Sequence, residues 1–98
     1  MDHSEENEPK ELPIDGTLDL HMFRPSDVKS LLYDYFAECR ARNIFRVRVI
    51  HGKGTGTLRT MVHAQLRKMP GIERFYLADE TSGSWGATWV HLKTVDPD

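Results

Sequence analysis

Two histidines stand where acid/base chemistry could be done. His21 closes the stretch Leu18-Asp19-Leu20-His21, and His51 opens the stretch His51-Gly52-Lys53-Gly54-Thr55-Gly56. Imidazole changes charge near neutral pH, so such a pair can take a proton from a nucleophile and return one to a leaving oxygen. Asp19, two residues before His21 on the same strand face, can fix that ring's orientation and tautomer. The glycines of the second stretch let backbone N–H groups approach an anion, and Lys53 adds a positive charge there. These parts suit cleavage of a phosphodiester, with His21, His51 and Asp19 as the candidate catalytic residues. RNA is the favoured substrate over DNA because its 2′-hydroxyl is an internal nucleophile already in place.

The competing chemistry is metal-assisted: Asp19 with His21 or His51 could hold one Mg²⁺ or Mn²⁺, although such hard cations prefer several oxygen ligands. Zinc held by thiolates is excluded in practice, because the chain has a single cysteine, Cys39. Its place on an apolar helical stripe makes it a core residue. His3 and His63 read as bystanders, the second on a helix. Arg59 either binds phosphate or caps the loop carbonyls. The hexapeptide alone is equally an ordinary tight turn: it lacks P-loop spacing, and Thr57 stands where a dinucleotide fingerprint needs its third glycine.

The elements that must position these residues follow from periodicity. Thr17 to His21 alternates as a first strand. A helix follows, started by Pro25 and Asp27, carrying Val28, Leu31, Leu32, Tyr35 and Cys39 at helical spacing and stopped by Asn43. Phe45 to Ile50 alternates again, Leu58, Val62, Leu66 and Met69 mark a second helix ended by Pro70-Gly71, and Ile72 to Ala78 and Thr88 to Lys93 give two more strands. The expected fold is α/β (an α+β two-layer β-α-β-α-β-β), with a four-stranded mixed sheet and both helices on one face. Right-handed crossovers make the first three strands parallel and the last antiparallel to the third.

Two helices cover one sheet face, which takes Leu18, Leu20, Phe45, Val47, Val49, Phe75, Leu77, Val90 and Leu92. Alternation then sends Asp19, His21, Arg46, Arg48, Arg74, Tyr76, Trp89, His91 and Lys93 to the open face. Basic and aromatic side chains there suit a single strand of nucleic acid, arginines on phosphates and rings on bases, while an ordinary solvated face would alternate in the same way. The carboxyl ends of parallel strands share one edge, so His21, His51 and the loop before the fourth strand open together if the first two strands are neighbours.

Composition narrows the classes. Ninety-eight residues make one small domain with a simple, near-surface site. No apolar run approaches the roughly 18 residues of a membrane span, and the first residues are acidic rather than signal-like, so a cytoplasmic protein is expected. The net charge of −2 hides a division. Five acidic residues lie within 1–11 against Lys10 alone, whereas Arg40 to Ile72 holds eight Lys or Arg and no acid. A one-signed stretch of this kind points to a polyanionic partner. Residues 1–13 read as a disordered acidic arm, 14–95 as the domain and 96–98 as a tail.

Three blocks together, Leu18-Asp19-Leu20-His21, His51 to Gly56 followed by Leu58-Arg59, and Gly83-Ser84-Trp85-Gly86-Ala87-Thr88, resemble the small MutS-related (Smr) domain. The resemblance implies a fold like the C-terminal domain of bacterial translation initiation factor three and an activity as an RNA endonuclease or a DNA-nicking enzyme. The expected nucleic-acid contacts are Arg46, Arg48, Gly52, Lys53, Gly54, Thr55, Gly56, Arg59, Trp85 and Trp89. Two departures stand out: Met22 follows LDLH where the family usually has glycine, and Ser84 replaces the second glycine of G-G-x-G-A-T. Met22 either narrows the approach of backbone to phosphate or packs. Its presence keeps open a binding module without cleavage, and exposed Trp85 and Trp89 keep open a protein-interaction adaptor.

Overall fold

The structure is a computed structural model and describes residues 13–79 and 86–94. The acidic arm up to residue 12, Trp85 and the tail therefore lie outside the described residues. The elements run β1 (Thr17–Asp19), a 3-10 turn (Pro25–Asp27), α1 (Val28–Ala41), β2 (Arg46–Ile50), α2 (Thr57–Lys68), β3 (Ile72–Leu77) and β4 (Ala87–Leu92). The sheet order is β1-β2-β4-β3, with β1 parallel to β2 and β4 antiparallel to both its neighbours. The last strand thus inserts between the second and third, and β1 and β2 are adjacent. Among the described residues, no helix is long and apolar enough to cross a membrane.

Each element ends for a local reason. Pro25 opens the turn into α1, and Asn43, at φ 62°, ends the helix segment in the left-handed region that asparagine tolerates. Gly56, at φ 87°, turns the chain into the first residue of α2. The Tyr35 hydroxyl, donating toward the carbonyls of Pro13 and Thr17 at 3.1 and 2.9 Å, ties the start of β1 to α1. Arg40 donates to the Gly71 carbonyl at 2.7 Å and ties α1 to the start of β3.

The core lies between the sheet and the helices and contains Leu18, Leu20, Val47, Val49, Val90 and Leu92 from the strands, packed on Val28, Leu32, Phe36, Val62 and Leu66 from the helices. Cys39 is part of it, and burial pushes its thiol up to about 11, which leaves it protonated and unreactive. One expected core residue is not there: Leu77 is 42 % exposed. It ends the edge strand β3 opposite Thr88, and the position over Thr88 is taken by a histidine of α2 rather than by an apolar helix surface.

Candidate nucleic-acid interface and active site

Hydrogen bonds draw the three sequence blocks to the carboxyl edge of the sheet. The Leu20 N–H donates to Ile50 O at 2.9 Å, joining the LDLH block to the end of β2. The N–H groups of His51 and Gly52 both donate to Gly86 O, at 2.9 and 2.8 Å, which joins the glycine turn to the start of β4. A side chain at Gly86 would press on Lys53 Cγ at 3.2 Å and on the Gly52 backbone. A Cβ there would make Lys53 give by a few tenths of an ångström.

Asp19 and His21 form a tight pair. Asp19 Oδ1 accepts the His21 backbone N–H at 3.0 Å and its Nδ1–H at 2.8 Å. A carboxylate only accepts, so the ring hydrogen sits on Nδ1 and the neutral ring keeps Nε2 bare. Burial raises the Asp19 pKa, yet the two hydrogen bonds and the charge attraction of His21 outweigh it and hold the carboxyl below its usual range. His21 is itself well exposed, at 68 %. Met22 beside it is 78 % exposed and so is not a core-packing residue.

His51 is built differently. It is 6 % exposed and continues the inward-facing row Val47, Val49, so its ring lies on the helix side of the sheet. Its Nδ1 is 3.1 Å from Gly52 O, and its Nε2 is 2.8 Å from Thr88 Oγ1. His63 Nε2 lies 2.8 Å from the same hydroxyl, and the two imidazoles meet edge to face with centroids 6.0 Å apart. Burial lowers the pKa of both rings, with Arg59 adding to the effect on His51 and with His51, Arg67 and Arg59 adding to it on His63. Both are held neutral near pH 7.

An open pocket of ≈ 250 Å³ lies against His51, walled by Phe23 and Pro25 on one side and by Gly52, Gly54 to Thr57, Leu58 and Arg59 on the other. The glycine turn and Arg59 thus share a concave surface with a buried histidine. The first turn of α2 points its positive dipole end there. Arg59 also lies 2.8 Å from where a Cβ on Gly56 would stand, so the guanidinium folds over the turn.

The basic and aromatic residues of β2, β3 and β4 occupy the other face. The Arg46 guanidinium lies 3.9 Å over the Trp89 ring, and Tyr76 O–H meets His91 Nε2 at 2.9 Å. His91 pairs in register with both Arg46 and Arg74. Its pKa is lowered, first by burial and then by these two arginines. Arg46, Arg48 and Trp89 are therefore separated from His51 by the sheet. One ring face of Trp89 is thus covered by Arg46.

His63, which the sequence reads as a bystander, belongs to the His51 site, as does Thr88. The signal was present: Arg59, His63 and Arg67 recur every four residues and form a polar stripe beside the apolar stripe of α2. For a hard cation the donors are poor, since Asp19 Oδ1 is engaged twice by His21 and, among the described residues, no three His, Cys, Asp or Glu side chains converge.

Comparison with known proteins agrees with this fold. The family profile described as the Smr domain matches residues 18–93. The chain is 33 % identical over 76 residues to a protein named Endonuclease MutS2 from Carboxydothermus hydrogenoformans, covering 78 % of this chain and 10 % of that protein. It is 35 % identical over 85 residues to the Endonuclease MutS2 of Halothermothrix orenii, covering 87 % of this chain and 11 % of that one. It therefore spans about a tenth of the length of these curated relatives. The crystal structure of the Smr domain of Thermus thermophilus MutS2 superposes with a TM-score of 0.74 at 31 % identity, covering 79 % of this chain and 96 % of that one. YdaL, a stand-alone small MutS-related protein from Escherichia coli, has a TM-score of 0.75 at 21 % identity over 87 % of this chain and 70 % of its own, and so shares the fold. By sequence and by fold, the chain belongs to the Smr domain family.

Proposed function

We propose that this domain binds single-stranded nucleic acid, RNA in preference to DNA, and cleaves its phosphodiester backbone with histidines rather than a metal. The observation that carries the reading is the carboxyl edge of the sheet, where the Asp19–His21 pair, the glycine turn and the His51 pocket stand on adjacent strands. The name Endonuclease MutS2 among its relatives supports cleavage of a nucleic-acid backbone.

In this reading the strand drapes over that edge. Bases lie on the open face against Trp89 and Tyr76, with Arg46 and Arg48 on phosphates, and the scissile phosphate reaches the glycine turn. His21, its Nδ1–H held by Asp19, takes the proton of the attacking hydroxyl on its bare Nε2. His51, held neutral, does not supply the proton of the leaving oxygen, which departs as its bond to phosphorus breaks and takes that proton from solvent water. Its part is to turn its Nδ1–H from the Gly52 carbonyl to the phosphate as charge grows there, together with Lys53, Arg59 and the N–H groups of Gly52 to Gly56.

Binding without cleavage is the second reading. Two features favour it: both nitrogens of His51 are bonded inside the protein, and Met22 stands where the family usually has glycine. A fluorescent RNA and a supercoiled plasmid, each incubated with and without EDTA, separate the two. Cleavage in EDTA supports the first reading, and salt-sensitive binding with neither substrate cut supports the second.

A further inference from the structure

One buried hydroxyl serves two histidines. Thr88 is 0 % exposed, so its Oγ–H and its lone pairs find their partners inside the protein. Both His51 Nε2 and His63 Nε2 lie 2.8 Å from that oxygen. A single hydroxyl hydrogen can satisfy only one of them, and the other must donate. The Gly52 carbonyl, 3.1 Å from His51 Nδ1, breaks the symmetry. A carbonyl cannot donate, so His51 carries its hydrogen on Nδ1 and its Nε2 must accept. The order is then fixed: His63 Nε2–H donates to Thr88, and Thr88 O–H donates to His51 Nε2.

Resting on the nuclease reading for its consequence, we propose that His63, acting through Thr88, is a positioning residue for His51. The chain keeps His51 in the tautomer with its hydrogen on Nδ1, where it is held by the Gly52 carbonyl until it turns to a phosphate in the pocket, and gives His63 the opposite tautomer. The ring of His63 is braced for this by Phe75, with centroids 5.0 Å apart. Charged neighbours reinforce the neutral state from one side only: Arg59 and Arg67, on α2 with His63, are the charges that act on the pair, and both are positive. Without His63 the Thr88 hydroxyl keeps one partner and turns more freely, and the His51 ring loses its fixed aim.

Long-range proton–nitrogen correlation spectra of the ¹⁵N-labelled full chain at pH 7.5 read the arrangement directly. The expected result is opposite tautomers, with Nδ1 protonated in His51 and Nε2 protonated in His63. Identical tautomers in the two rings would overturn the proposal. This outcome does not depend on activity, so a protein that cleaves nothing removes the nuclease reading while the spectra still decide the arrangement. Where RNA is cleaved, His63→Leu should lower kcat on the order of tenfold or more at nearly constant KM, as when other groups that hold a histidine's tautomer are lost. His63→Gln, whose amide N–H can replace Nε2–H, should recover most of the rate. A His63→Leu protein with wild-type kcat would equally contradict the positioning role.

Discussion

Asp19 and His21 are joined twice, through the backbone N–H and the ring Nδ1–H, both received by one carboxylate oxygen at 3.0 and 2.8 Å. The pair forms within a three-residue span at the end of β1, so its geometry is nearly independent of the rest of the molecule. If His21 is the base, Asp19→Asn keeps the shape and removes the charge that favours the Nδ1–H tautomer. Cleavage should fall by roughly 10- to 100-fold, less than the ~10²- to 10⁴-fold expected for losing the base itself, with RNA affinity unchanged. Single-turnover rates beside a binding titration check this.

Gly56 makes the turn into α2 at φ 87°, where a Cβ also meets Arg59. Gly56→Ala should cost about 1–2 kcal/mol, the strain of a left-handed L-residue. The Arg59 guanidinium is the far end of a flexible side chain and should move aside, which lowers phosphate affinity as well. Urea midpoints and phosphate competition would register the two effects separately.

The pH dependence of stability follows from His51 and His63. Both have folded pKa values below the ordinary histidine value of about 6.5, so below that pH the unfolded chain binds more protons than the folded one. Their contribution is complete above about pH 6.5 and is lost as pH falls toward the depressed folded values. The melting temperature should drop between pH 7.5 and 5.5, and His63→Gln should flatten that drop.

Much of this site could be read from local sequence, because the LDLH block, the glycine turn and strand alternation are short-range signals. Period two correctly sent Arg46, Tyr76 and His91 to the open face and Val47, Val49 and Val90 to the core. The Thr88 link to two histidines was not legible. It depends on β4 inserting between β2 and β3, a choice of strand order that no local pattern records. Leu77 departs from the alternation for a related reason: period two gives the face of a residue, but not how far the helix layer extends over an edge strand.

The two sheet faces should divide binding from chemistry. Arg46→Ala with Arg48→Ala removes basic side chains of the open face, one of them stacked on Trp89. The double change should weaken RNA binding and lower the slope of log affinity against log salt by roughly one to two, while saturating RNA restores much of the rate. Affinity measured at several salt concentrations gives the slope.

The central claim, that a buried neutral His51 acts on the phosphate in the transition state, is tested most directly by cleavage of a fluorescent single-stranded RNA at saturating protein in EDTA, comparing wild type with His51→Ala. The wild type should cleave, and His51→Ala should cleave about 10²- to 10³-fold more slowly, the usual loss for one donor to a developing oxyanion, while binding RNA nearly as well. Cleavage by the wild type that EDTA abolishes, or a His51→Ala protein that cleaves at the wild-type rate once saturated, would contradict the account.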